Sequence, residues 1–267
     1  MERAAPGVGE RSSEDPRSPL AVQNVDTLRA KFGHHGGPFR VILRGVISVA
    51  LPVPASHPGR PVRLLGLALR TGLVASAALL VVNALPFFGA DVEATPFFAD
   101  KGELSARLAW RIPFFVHVAS AVLCLVTGVA LLSKRLLVRA PAVHRALGWT
   151  YAAVTIGFVV PSGLLLAPTA GGGLAGRSGF VAIGLVLLGT TGMGLRYVFR
   201  RDFVSHRAWM LRSFAATATA LSFRCLYAPL ALLGAPNAYG ISVWASLAVN
   251  VVLSEHRIES LARRSPA

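Results

Sequence analysis

Acidic residues are scarce in this chain: 12 Asp and Glu stand against 27 Lys and Arg over 267 residues, a formal net charge of +15. Charge of either sign is thin, at 15% of residues, whereas 54% are hydrophobic and the mean hydropathy is +0.58. A soluble domain of this size carries a far more polar surface. The basic excess argues against nucleic acid as partner, because the arginines gather at the ends of apolar runs. Only two cysteines occur, Cys124 and Cys225, each inside an apolar run where a thiol behaves as a small hydrophobe. Neither a disulfide nor a metal site is expected from them, and no Cys-x-x-Cys-His string for covalent haem attachment is present. The H-E-x-x-H, G-x-S-x-G and P-loop signatures are missing too. The run Gly171–Gly172–Gly173 lacks the Lys and Ser/Thr of a phosphate cradle and reads as a flexible turn. The first long apolar run begins beyond residue 60, too late for a cleaved signal peptide.

What is there is a set of six apolar runs, at about 64–88, 112–132, 147–168, 179–199, 208–233 and 238–254. Each is close to the roughly 20 residues that cross about 30 Å of hydrocarbon as a helix. The expected fold is therefore all-α, a polytopic membrane bundle of six transmembrane helices filling residues 61–259. Pro161 should kink the third, and recurrent glycines should let helix backbones approach closely. Residues 1–60, rich in Pro, Gly, Ser, His and charge, are expected to form a disordered basic tail, with the apolar piece at 41–53 as a short interfacial helix. Residues 260–267 form a second short tail.

Loop charges set the orientation. Arg60, Arg63, Lys134, Arg135, Arg139, Arg145, Arg200, Arg201, Arg207, Arg257, Arg263 and Arg264 fall on one side; only Lys101, Arg107, Arg111 and Arg177 fall on the other. By the positive-inside rule the first side is cytoplasmic, which puts both termini inside and the chain in an inner membrane, with anionic lipid headgroups as its partners. The acidic loop of Asp91, Glu93, Asp100 and Glu103 then lies outside. Within it Leu104, Leu108 and Ile112, beside Trp110, have the spacing of an interfacial helix; an ordinary loop accounts for them as well. Trp110, Trp149, Trp209 and Trp244 all lie near span ends, as membrane-interface indoles do.

A short internal repeat follows the second and fourth spans, where a basic loop leads into His144-Arg145-Ala146 and His206-Arg207-Ala208. Two hairpins of the same orientation would be related by an axis along the membrane normal. His144 and His206 then converge near the inner leaflet, as the axial ligands of a six-coordinate b-type haem do, with Arg145, Arg207 and Arg212 available to neutralise its propionates. The plainer reading is that His-Arg at a helix entrance anchors the helix at the headgroups. Glu255 beside His256 reads as a solvated helix end. Near the outer leaflet lie Asn83, His117, Ser162 and Arg224; His117 with Arg224 forms a candidate site for a small anion, and the basis of a rival transporter or accessory role. The position in the fourth span equivalent to His117 falls around Gly179 and Phe180, so a second haem is not expected.

The strings His144-Arg145-x-x-Gly148-x-x-Tyr151 and Asp202-x-x-x-His206-Arg207-x-Trp209-Met210-x-Arg212-Ser213, with Arg224 in the same helix, carry a family resemblance. They resemble the predicted membrane proteins grouped as domain of unknown function 2306, over residues 64–259. His117, Asn250 and Glu255 also match that pattern. The resemblance implies a bacterial multi-pass membrane protein and assigns no activity. The histidine arrangement is similar to that of transmembrane b-type cytochromes, from whose two-haem members this chain departs by lacking a second outer histidine.

Overall fold

The computed structural model describes residues 60–89 and 91–263. The tail expected over 1–60, with its apolar piece at 41–53, lies outside the described residues but for Arg60, which opens the first helix. The described chain runs α1 (Arg60–Ala84), α2 (Pro96–Lys101), α3 (Glu103–Ala106), α4 (Leu108–Leu131), α5 (Lys134–Arg139), α6 (Pro141–Val154), a π turn (Thr155–Val159), α7 (Val160–Leu166), α8 (Gly173–Phe199), α9 (Phe203–Leu232) and α10 (Ala238–Ala262), with short 3-10 turns between them. No strand occurs among the described residues. Six segments are long and apolar enough to cross a membrane: Thr71–Phe88, Leu108–Leu131, Pro141–Thr169, Gly173–Phe199, Phe203–Leu232 and Ala238–Ala262. Large apolar side chains such as Leu123, Leu165, Leu185, Val249 and Leu253 stand exposed on these helices, as contact with lipid requires.

The helices extend beyond the apolar runs at their basic ends. The fifth run begins at 208, yet α9 begins at Phe203, because the Asp202 carboxylate accepts from the Ser205 backbone N–H at 3.0 Å and from its hydroxyl at 2.8 Å. This N-cap satisfies donors that the first helical turn leaves without partners. The third run begins at 147, whereas Pro141 starts α6 two turns earlier, at a position where a missing N–H does no harm. His144 and His206 therefore sit inside helices rather than before them.

Pro161, where a kink is expected, lies in the first turn of α7. Immediately ahead of it the chain widens into the π turn, where the Val160 N–H donates to the Thr155 carbonyl five residues back. One extra residue in a turn leaves backbone acceptors free for side chains. His117 of α4 uses one, its Nδ1 lying 3.2 Å from the Val159 carbonyl and 3.2 Å from the Ser162 hydroxyl.

The loop between the first two spans is a packed cap. Phe98, Trp110 and Phe114 are buried there, with Trp110 stacked on Phe114 at 5.0 Å, and the indole N–H donates to the Thr169 hydroxyl at 3.1 Å. Trp110 thus belongs to the interior of the cap rather than to an interfacial belt. Leu104, Leu108 and Ile112 do not share one helix, because Arg107 is extended (φ −79°, ψ 121°) and separates α3 from α4.

α4 occupies the centre. It packs against α1, α6, the π turn, α7 and α9, while α8, α9 and α10 pack on one another. Ala77 of α1 meets Leu125 and Leu221, joining the first span to α4 and α9. At Gly128 a Cβ would come within 2.7 Å of the Phe214 ring and 3.1 Å of the Tyr151 ring, so the close approach requires glycine. Gly128→Val should lower stability in detergent by about 1–3 kcal/mol, read from thermal unfolding. Gly189→Ala, at a position with nothing within 4 Å, should cause no loss.

Candidate functional site

The two His-Arg-Ala strings open α6 and α9 in the same register. Each histidine is the fourth residue of its helix, and its backbone N–H donates to the residue before the helix, His144 to Ala140 at 3.0 Å and His206 to Asp202 at 2.9 Å. The two imidazoles lie within electrostatic reach of each other. Two turns deeper, about 10 Å along each axis, the Tyr151 hydroxyl meets the Ser213 hydroxyl at 2.9 Å. The residues in both pairings are 62 apart in the chain. One hydroxyl bond thus joins the two helices at residues that each lie seven past a string histidine.

His206 is held from behind. Its Nδ1 lies 2.9 Å from the Gly194 carbonyl of α8, so Nδ1–H donates and the Nε2 lone pair is left available. Gly194 permits the approach, since a Cβ there would collide with the Met210 side chain one turn past His206. A backbone carbonyl that fixes one ring nitrogen and frees the other is the usual support of a ligating histidine. His144 presents the complementary anomaly: its Nδ1 is buried without a hydrogen-bond partner. Native interiors rarely leave such an atom unsatisfied.

Around the pair, Arg145 and Arg207 are exposed on the first turns of their helices. Arg212 differs from them and from its expected role. Its guanidinium grips Glu255 of α10 with two bonds, at 2.5 and 2.8 Å, and lies over the Trp209 ring at 4.7 Å. A charge already neutralised by a carboxylate is not free for a propionate. Glu255 is correspondingly the partner of Arg212 rather than a solvated helix end, and only His256 beside it is exposed.

His117 and Arg224 have separate partners. His117 serves the π turn, and Arg224 donates to the Ala220 carbonyl of its own helix at 2.7 Å, with Tyr239 as its neighbour. Nothing joins them into one anion site. Among the described residues no group of three or more His, Cys, Asp and Glu is placed to hold a metal ion.

Beneath the histidines runs a cluster of hydroxyls that reading the sequence missed. Tyr151 also meets the Thr217 hydroxyl at 2.9 Å, Ser213 meets Thr191 at 2.7 Å, and the Cys124 thiol meets Thr155 at 3.2 Å. Tyr151, Ser213, Thr191, Cys124 and Thr155 are all fully buried. Helices α4, α6, α8, α9 and the π turn each contribute a member. The available signal was the shared spacing: Tyr151 and Ser213 each follow a string histidine by seven residues.

The family model described as predicted membrane protein (DUF2306) matches residues 114–258, more than half of the chain. The chain belongs to the DUF2306 family. The matched stretch holds every member of the site, from Cys124 on α4 to Glu255 on α10, while α1 and most of the aromatic cap lie outside it. No curated protein and no solved structure matches the chain.

Two perturbations test this arrangement. Tyr151→Phe and Ser213→Ala should each destabilise the DUF2306 bundle by about 1 kcal/mol, and the double variant should fall short of their sum, as a shared hydrogen bond in a membrane interior dictates. Arg212→Leu should destabilise by about 2–4 kcal/mol by stranding Glu255, and adding Glu255→Leu should restore much of the loss. Thermal melts of the detergent-solubilised variants measure both.

Proposed function

We propose that this DUF2306 protein binds one b-type haem between α6 and α9, which His144 and His206 would hold through its iron. The reading rests on one observation above the others: two imidazoles at matching positions of two helices that the Tyr151–Ser213 bond joins, one with its Nδ1 tied to the Gly194 carbonyl and the other with a buried nitrogen lacking any partner. The fit of the donor set is good. Two neutral imidazoles from facing helices are the ligands a six-coordinate haem takes, and Arg145 and Arg207 at the same end supply cations for its propionates. When bound, such a haem would supply single-electron exchange.

The residues of the chain have distinct duties under this reading. The Gly194 carbonyl orients His206 and makes its Nε2 the better donor. The hydroxyl cluster below closes the floor of the site and keeps α6 and α9 in register. Arg212 acts through packing, since Glu255 holds it. The basic end of the bundle is the cytoplasmic face of a bacterial inner membrane by its loop charges, and the histidines lie near that face. The rival role, anion transport through His117 and Arg224, rests on two residues with separate partners.

The visible spectrum of the protein purified from haem-replete cells decides the matter. A Soret band, and an α band that sharpens on reduction, should be present and should be lost in His144→Ala and in His206→Ala, while Arg212→Lys should keep them. A colourless preparation of folded wild-type protein sinks the proposal.

A further inference from the structure

At the end of the bundle opposite the histidines, Arg224 stands exposed in the apolar second half of α9. One N–H donates to Ala220, and no carboxylate among the described residues pairs with it. A guanidinium on a lipid-facing surface without a counter-charge is a costly placement that calls for a partner outside the chain. Leu232 closes α9 eight residues later, about 12 Å along the axis, so the guanidinium lies within the zone where arginines and lipid headgroups meet by snorkelling.

The surroundings of Arg224 are aromatic and rich in donors. Phe223 and Tyr227 stack in parallel, 5.5 Å apart, and Tyr239 of α10 sets its edge against both, at 5.0 and 5.3 Å. Tyr239 is fixed in place by the turn before α8, where Gly172 adopts φ +77° and a Cβ would come within 2.8 Å of its ring. The phenols of Tyr227 and Tyr239 make no hydrogen bond within the described protein. The Tyr239 hydroxyl lies within electrostatic reach of both the Tyr227 hydroxyl and the Arg224 guanidinium. One cation and two unused O–H donors thus gather at one spot on the lipid-facing surface, and no protein acceptor answers them.

We infer that Arg224, Tyr227 and Tyr239 bind the phosphodiester of a phospholipid headgroup in the leaflet at that end of the bundle. A phosphodiester supplies a single negative charge and several acceptor oxygens, matching a guanidinium and two phenols. The flanking rings of Phe223 and Tyr227 suit the glycerol and upper acyl region, as aromatic side chains at membrane interfaces do. A free phosphate shares the anionic chemistry but has no use for a wall of rings that opens to lipid.

The test measures retention of phosphatidylglycerol by the full-length protein in mixed micelles, by native mass spectrometry, with inorganic phosphate as competitor. Wild-type protein should retain the lipid, Arg224→Gln should weaken retention on the order of tenfold, as loss of a charge-assisted pair implies, and Arg224→Lys should recover part of it. Tyr227→Phe with Tyr239→Phe, which keeps the rings and removes only the donors, should weaken retention several-fold and decides the matter if Arg224→Gln does not fold. Equal retention by wild type and the double phenylalanine variant overturns the inference. Displacement of the lipid by millimolar inorganic phosphate also overturns it, in favour of a free-anion site.

Discussion

The bond between the Tyr151 and Ser213 hydroxyls governs this bundle. In lipid, apolar faces give helices no reason to associate, and a polar contact in the interior selects which faces meet. Tyr151 reaches from α6 to two hydroxyls of α9, and Ser213 passes the chain on to Thr191 of α8. The close backbone contacts of α6 fall on α4, and those of α8 with the third span fall on the π turn and α7. One long side chain therefore bridges a gap that backbone packing leaves open. It joins the two helices seven residues past His144 and seven past His206.

Close packing and polar contact divide the labour between the two halves of the third span. Beyond the π turn, Leu164 packs against Gly184 of α8, and His117 lies against Gly163. Before the turn, α6 rests on α4 and reaches its other neighbours through side chains, Trp149 against Phe199 of α8 at 5.7 Å and Tyr151 against Ser213 of α9. The cap side is sealed by Phe98, Trp110 and Phe114 with their bond to Thr169.

The six spans were legible because hydrocarbon thickness fixes helix length and leaves a run of about 20 apolar residues as its trace. The paired histidines were legible through their repeated Arg-Ala neighbours. The hydroxyl cluster was not: Ser213, Thr217, Thr191 and Thr155 sit among small and apolar residues, and nothing local says which of them face one another. Arg212 and Glu255 lie 43 residues apart, and only the α9–α10 hairpin brings them together. Pro161 announced an interruption of the regular helix without its form, since a proline removes one donor but the neighbouring side chains, here His117 and Ser162, decide how the freed backbone is used. The loop before α4 was misleading because a four-residue apolar spacing looks the same whether one helix carries it or a break at Arg107 interrupts it.

The π turn has a consequence for helical phase. Each residue of an α-helix advances the face by about 100°, so one additional residue within Thr155–Val159 rotates everything beyond it relative to what came before. Tyr151 and Ser162, which an unbroken wheel places at a fixed angle, are thereby uncoupled. The first half of the span aims Tyr151 at α9, and the second aims Ser162 at His117 of α4. A single helix so divided addresses two partners on different bearings.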